Sequence, residues 1–124
     1  MLTNAHAYPT VAVSDIDRAR EFYEQTLGFT PSSVAPAGVF YPAGAGTRFL
    51  VYPSGEAGSN RATYLGFEVP DIEAEVADLK GRGIRFEQYE GYTNADGIAD
   101  AGEVFSAWFK DPDGNIVGVV QLRR

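Results

Sequence analysis

The 124-residue chain contains no cysteine, which excludes both disulfide bridges and thiolate metal sites. It has a single histidine, His6, and one imidazole cannot supply the three or four converging N or O ligands that a catalytic divalent ion needs. Ser14, Ser54 and Ser106 therefore lack a plausible histidine partner, and no hydrolytic triad is expected. Positive charge is also scarce. Ten Lys and Arg against seventeen Asp and Glu leave a net charge of −7 and a pI near 4.5. That argues against nucleic acid, whose phosphates demand a basic surface, and against an anionic membrane surface. No apolar run approaches the ~18 residues of a membrane span. The opening MLTNAHAYPT has neither the basic nor the apolar region of a signal peptide, so a soluble cytoplasmic protein is expected.

What the chain does have is apolar content, 44% hydrophobic residues, enough for a packed core. Val104 to Gln121 reads as two strands around Asp111-Pro112-Asp113-Gly114. Pro112 presets φ, Asp111 can bond back to the chain, and Gly114 can take the left-handed conformation. Further upstream, Ala7 to Ser14 alternates as a strand, and Asp15 caps a helix to about Leu27 that Gly28 ends. Weaker strands follow at Phe29 to Ala35, Gly38 to Tyr41 and Thr47 to Tyr52, and then a small polar linker, Pro53 to Asn60. The pattern then restarts. Thr63 to Val69 is a strand, Asp71 caps a second helix ended by Gly81 and Gly83, and Ile84 to Tyr89 is a further strand. A long polar loop, Glu90 to Gly102, leads into the final hairpin. The restart is in register: Val13-Ser14-Asp15-Ile16-Asp17 matches Val69-Pro70-Asp71-Ile72-Glu73 at a spacing of 56 residues. The expected architecture is α+β: two βαβββ modules, each leaving one sheet face bare, with module 1 at about 5–53, a linker at 54–60 and module 2 at about 61–122.

Three segments, Val11 to Phe29, Phe67 to Ile84 and Trp108 to Gln121, together with this repeat, resemble the vicinal oxygen chelate superfamily. That group includes glyoxalase I, bleomycin-resistance proteins, extradiol dioxygenases and fosfomycin-resistance enzymes. The resemblance implies a single domain over residues 1–124, with a curved mixed sheet around a cavity, in a homodimer. In metal-dependent members it implies a His or similar ligand on the first strand of each half and a Glu on the last. Those positions here are Tyr8, Tyr64 and Gly118, with the fourth near Leu50 or Val51. None is His, Glu or Asp, and a neutral phenol, titrating near ~10, is a poor ligand at pH 7. No metal and no other cofactor is therefore expected.

Strand alternation assigns the faces. Val11, Val13, Leu65, Phe67, Val69, Val117 and Val119 should pack beneath the helices. Tyr8, Thr10, Ala12, Tyr64, Gly66, Glu68, Ile116, Gly118 and Val120 should face the cavity, with Trp108 on the same side and Phe40 and Tyr52 as further candidates. Such a cavity has aromatic walls, room at two glycines, and polar contacts from Glu68, Thr10 and Arg48. Tyr92, in the long loop, is placed to close over a ligand. The expected ligand-binding residues are thus Tyr8, Thr10, Phe40, Tyr52, Tyr64, Glu68, Tyr92, Trp108 and Gly118, with no catalytic residue assigned. The expected activity is metal-free sequestration of a small aromatic or polycyclic ligand, as in bleomycin-resistance-type proteins that take up an antibiotic. A metal-independent isomerase or lyase using Tyr8, Tyr64 or Glu68 is the alternative. Two others are a glyoxalase-like metalloenzyme with atypical ligands and a small module whose cavity is filled.

Overall fold

The computed structural model describes residues 1–122. Eight strands and two helices follow the repeat. Module 1 comprises β1 (Thr10–Val13), α1 (Ile16–Arg20), β2 (Ser33–Ala35), β3 (Gly38–Pro42) and β4 (Arg48–Pro53). Module 2 comprises β5 (Thr63–Glu68), α2 (Ile72–Gly81), β6 (Ala99–Asp100), β7 (Val104–Lys110) and β8 (Ile116–Leu122). Each module folds as one four-stranded mixed sheet, ordered β1-β4-β3-β2 in the first and β5-β8-β7-β6 in the second. In each, the first strand runs parallel to the last and the remaining pairs are antiparallel. The edge strands β1 and β5 are neighbours, so the two sheets stand side by side.

The capping aspartates do what their position demands. The Asp15 carboxylate accepts from the Asp17 and Arg18 amides, and Asp71 accepts from Ala74, offsetting amides that a first helical turn leaves without partners. α1 continues into a π-helical segment, Glu21–Thr26. The wider turn lets two consecutive aromatics face inward. Phe22 reaches Phe109 of module 2, with ring centres 6.4 Å apart, while Tyr23 stacks on Tyr41 of module 1 at 6.0 Å. Gly28 and Gly83 then end their helices at φ +87° and +91°, the left-handed region a Cβ disfavours.

Helix-facing residues build two joined cores. Val11, Val13, Tyr23, Val39, Tyr41, Phe49 and Val51 form the first, and Val76, Phe86, Ala107, Phe109, Val117 and Val119 are among those forming the second. Phe22, Leu27 and Phe67 pack against both. Val11 and Val13 of β1 and Val117 and Val119 of β8 lie in these cores, as expected, while Ala12, expected on the opposite face, is buried too.

Two stretches depart from expectation. Ile84 to Tyr89 is not a continuous strand: only Phe86 makes a ladder bridge, to Phe109. The third strand of module 2 lies instead inside the expected loop, at β6, paired with Phe105 and Ser106. Local apolarity at 84–89 reflects burial of Ile84 and Phe86 rather than sheet pairing. The rest of the loop is pinned. Asn94 Oδ1 accepts from the Asp96 and Ile98 amides, and Thr93 Oγ1 accepts from the Tyr89 amide at 2.8 Å.

Candidate functional site

The ladder registers define equivalent positions in the two open faces. In module 1, Thr10 pairs with Leu50 and Leu50 with Phe40, giving a row across β1, β4 and β3. In module 2, Gly66 pairs with Gly118 and Gly118 with Trp108, giving the same row across β5, β8 and β7. Leu50 is thereby the counterpart of Gly118, and Phe40 of Trp108. The four positions at which the resemblance implies metal ligands are thus Tyr8, Tyr64, Leu50 and Gly118. Among the described residues no three His, Asp or Glu side chains converge as a metal-holding group.

The module 2 row carries no side chain before Trp108. A Cβ built on Gly66 would touch nothing, whereas Gly118 is itself buried and a Cβ there would lie 3.2 Å from Thr63 Cγ2 and 3.6 Å from Trp108 Cδ1. Thr63 and the edge of the half-buried Trp108 ring thus close in over Gly118, and the free space of the row is at Gly66. Two tyrosines complete this wall. Tyr92 stacks on Trp108 at 6.0 Å and 23°, and Tyr89 meets the indole edge-on at 5.6 Å. Tyr92 is 55% exposed and also lines a cleft of about 570 Å³ between the start of α2 and the 91–100 loop. The pinned loop already holds Tyr92 against Trp108.

The module 1 row carries a different cluster. Tyr8 packs edge-on against Phe40 at 5.1 Å, and the Arg48 guanidinium lies over both rings, 4.3 Å from Phe40 and 5.0 Å from Tyr8. Tyr52 and Thr10 share this sheet face. A cleft of about 500 Å³ runs between the β3–β4 turn and β5, lined by Arg48, Leu65, Gly66, Phe67 and Glu68 among others.

Tyr64 is displaced from its expected place. The β5–β8 register shifts between Thr63 and Leu65, so Tyr64 is an extra residue in the strand. A bulge reassigns every face before it. Thr63 therefore occupies the place beside Gly118, and Tyr64 packs half-buried against the module 1 core. Tyr8 and Tyr64, equivalent in sequence, do not form a facing pair of rings. Sequence reasoning missed Thr63 because of this bulge. It missed Tyr89 because that tyrosine seemed to belong to a strand; a Tyr-x-x-Tyr pair leading into a loop was the available signal.

The DPDGN turn holds this arrangement together. Asp111, 5% exposed, accepts from the Tyr23 hydroxyl at 2.9 Å, from the Asn115 side chain at 2.9 Å and from the Asp113 and Asn115 amides. Asn115, fully buried, donates to the Ala12 carbonyl in β1 at 2.7 Å and accepts from the Gly58 amide at 3.1 Å. Asp113 accepts from Ser14 and from Arg18 of module 1. Burial first, then the neighbouring Asp111 carboxylate, raises the Tyr23 phenol well above its usual range, so it stays a neutral donor.

Solved structures share this architecture. TnmS3, an antibiotic binding protein from Streptomyces sp. CB03234, is 26% identical with a TM-score of 0.69, over 97% of this chain and 98% of that one. A glyoxalase/bleomycin resistance protein from the same strain is 28% identical with a TM-score of 0.67, over 93% and 98%. One from Catenulispora acidiphila, 22% identical with a TM-score of 0.73 over 97% and 100%, shows the fold alone. No protein of curated function matches. No helix among the described residues is long and apolar enough to cross a membrane. The family model matches residues 5–119, nearly the whole repeat, and the chain belongs to the Glyoxalase/Bleomycin resistance protein/Dioxygenase superfamily.

Proposed function

We propose that the protein binds a small planar aromatic molecule stoichiometrically, as an antibiotic-sequestering protein does, without metal and without turnover. The observation that carries this reading is the Gly66–Gly118–Trp108 row. Neither glycine puts a side chain on this face, the Cβ position of Gly66 is in open space, and the indole at the end of the row is braced by Tyr89 and Tyr92. A flat ligand lying on the glycines gains ring contact with Trp108 and displaces water from apolar surface. The tyrosine hydroxyls supply directional donors. The similarity to an antibiotic binding protein at 26% identity supports the same class of activity. We expect a homodimer, in the cytoplasm, as its working form.

Trp108 is the chain's only tryptophan, so intrinsic fluorescence reports on this wall directly. Titration with planar tricyclic and tetracyclic compounds, riboflavin among them, should quench it saturably at one ligand per chain. Absence of quenching across a broad panel of flat ligands would sink the reading. Turnover of any bound compound would move it to the metal-independent enzyme.

A further inference from the structure

Arg48 has no role in the wall just described. Among the described residues Arg18, Arg20, Lys80, Arg82 and Lys110 form ion pairs, and Arg48, Arg61 and Arg85 do not. Arg48 instead lies across the faces of Phe40 and Tyr8, and among the described residues no carboxylate stands within ion-pair distance of it. The two rings stand at 79° to each other, so the guanidinium can lie flat on one of them at most, and N–H donors not turned to the other ring project from the edge of its plane. Arg48 is exposed to solvent, and its two ring contacts bias where those donors point. A carboxylate can accept two of them side by side.

The cleft beside it suits the rest of such a ligand. It holds about 500 Å³, with Leu65 and Phe67 as apolar lining and Arg48 on its β4 side. Glu68 lines the same cleft from β5. Gly66 belongs both to this cleft and to the Gly66–Gly118–Trp108 row. Adjacent strands are about 4.8 Å apart, so a flat molecule about 10 Å long on the glycines reaches from the cleft to the indole.

We propose that Arg48 is a specificity-determining residue that selects planar aromatic ligands carrying one carboxylate, with the acid at Arg48 and the rings directed across Gly66 toward Trp108. The reach to Trp108 rests on the aromatic-binding reading above; recognition of the acid by Arg48 does not. The test uses two pairs of probes. 2-Naphthoate and its neutral amide are small enough to report on the cleft alone, through the Arg48 side-chain N–H signal in NMR. Anthracene-2-carboxylate and its amide are long enough to quench Trp108.

Each acid should bind at least tenfold more tightly than its amide. That preference should vanish in Arg48→Gln and be partly kept in Arg48→Lys, which retains charge but not the fork. Backbone amide spectra of the variants, unchanged away from β4, exclude misfolding as the cause. If both amides bind as tightly as their acids, the charge recognition is overturned, while quenching by the anthracene pair leaves aromatic binding standing. If 2-naphthoate binds through Arg48 but neither anthracene compound quenches Trp108, the anion cleft stands and the reach to the indole is overturned. No binding of either acid at millimolar concentration overturns the proposal entirely.

Discussion

The two modules are built on one plan and differ at the same few positions. Across the open faces, module 1 sets Thr10, Leu50 and Phe40 where module 2 sets Gly66, Gly118 and Trp108. In the cores, module 1 places Tyr23 and Tyr41 where module 2 places Leu79 and Phe109. At the last turn, module 1 has Ala43 and Thr47, and module 2 has Asp111 and Asn115. Both turns close with the same backbone bond, Ala43 to Thr47 at 2.8 Å and Asp111 to Asn115 at 2.9 Å. Module 2 thus has no side chain at two positions of its open face and polar ones in its turn, where they grip the other module.

The turns offer the largest contrast. Removing the Asn115 side chain takes a donor from the buried Ala12 carbonyl, an acceptor from the half-buried Gly58 amide, and one of two donors from Asp111 Oδ2, which keeps the Tyr23 hydroxyl. Buried groups left unsatisfied cost about 1–3 kcal/mol each before water relieves some of them, so Asn115→Ala should destabilise by roughly 3 kcal/mol. Thr47 is exposed and its hydroxyl donates to the Gly44 carbonyl of its own turn, so Thr47→Ala should cost about 0.5 kcal/mol. Urea denaturation of both variants checks the ratio. Equal losses would mean the module 2 turn is no more than a turn.

The cores should part company at high pH. Tyr23 and Tyr41 both have phenols raised above their ordinary value, first by burial and then by a carboxylate, Asp111 or Glu24, that each bonds. A phenol whose folded pKa exceeds its unfolded one contributes stability that is full below about pH 10 and falls as pH rises, because the unfolded chain releases the proton first. Each such tyrosine should steepen that fall by about 1.4 kcal/mol per pH unit. Stability measured from pH 9 to 11.5 should therefore drop with the slope of two tyrosines, and Tyr41→Phe should remove one. A flat profile would contradict the burial of both hydroxyls.

The sequence carried much of this because the features it advertises are local. Asp15 and Asp71 cap, Gly28, Gly83 and Gly114 turn, and the spacing between the two caps reveals the repeat. Alternation placed Val11, Val13, Val117 and Val119 correctly, since uninterrupted strands keep their parity. Tyr64 was misplaced because a bulge is set by pairing with β8, which no local signal near residue 64 reports. Ile84 and Phe86 looked like a strand because burial and pairing leave the same apolar signature. The DPDGN turn was legible as a turn. Its hold on Ala12, Ser14 and Tyr23, 88 to 103 residues away, was not, because short polar residues satisfy local and distant partners equally well.

The open faces can be exchanged directly. Gly118→Leu installs the residue module 1 uses. Its Cβ would sit 3.6 Å from Trp108 Cδ1, so the rest of the leucine must enter the space beside the indole or displace it. Planar ligands should then bind at least tenfold more weakly, about 1.4 kcal/mol, read from Trp108 quenching. Gly118 is not among the glycines held at positive φ, but its Cβ would also lie 3.2 Å from Thr63 Cγ2, so Thr63 must shift, and amide spectra unchanged away from β5 and β8 establish that the variant folds. Unchanged affinity would place the ligand elsewhere, with the Arg48 cleft the remaining candidate.

The smallest effect is expected at Gly66, and it is informative for that reason. Nothing lies within 4 Å of a Cβ there, and its φ is not in the left-handed region. Gly66→Thr, copying Thr10, should shift stability by no more than about 0.5 kcal/mol, and upward if the β-branched side chain improves the strand. Gly66 nevertheless sits where the Arg48 cleft meets the glycine row. A ligand spanning both must cross it, and a threonine should weaken that ligand about threefold while leaving 2-naphthoate, confined to the cleft, nearly unaffected. Equal weakening of long and short ligands would mean the two faces do not share one path.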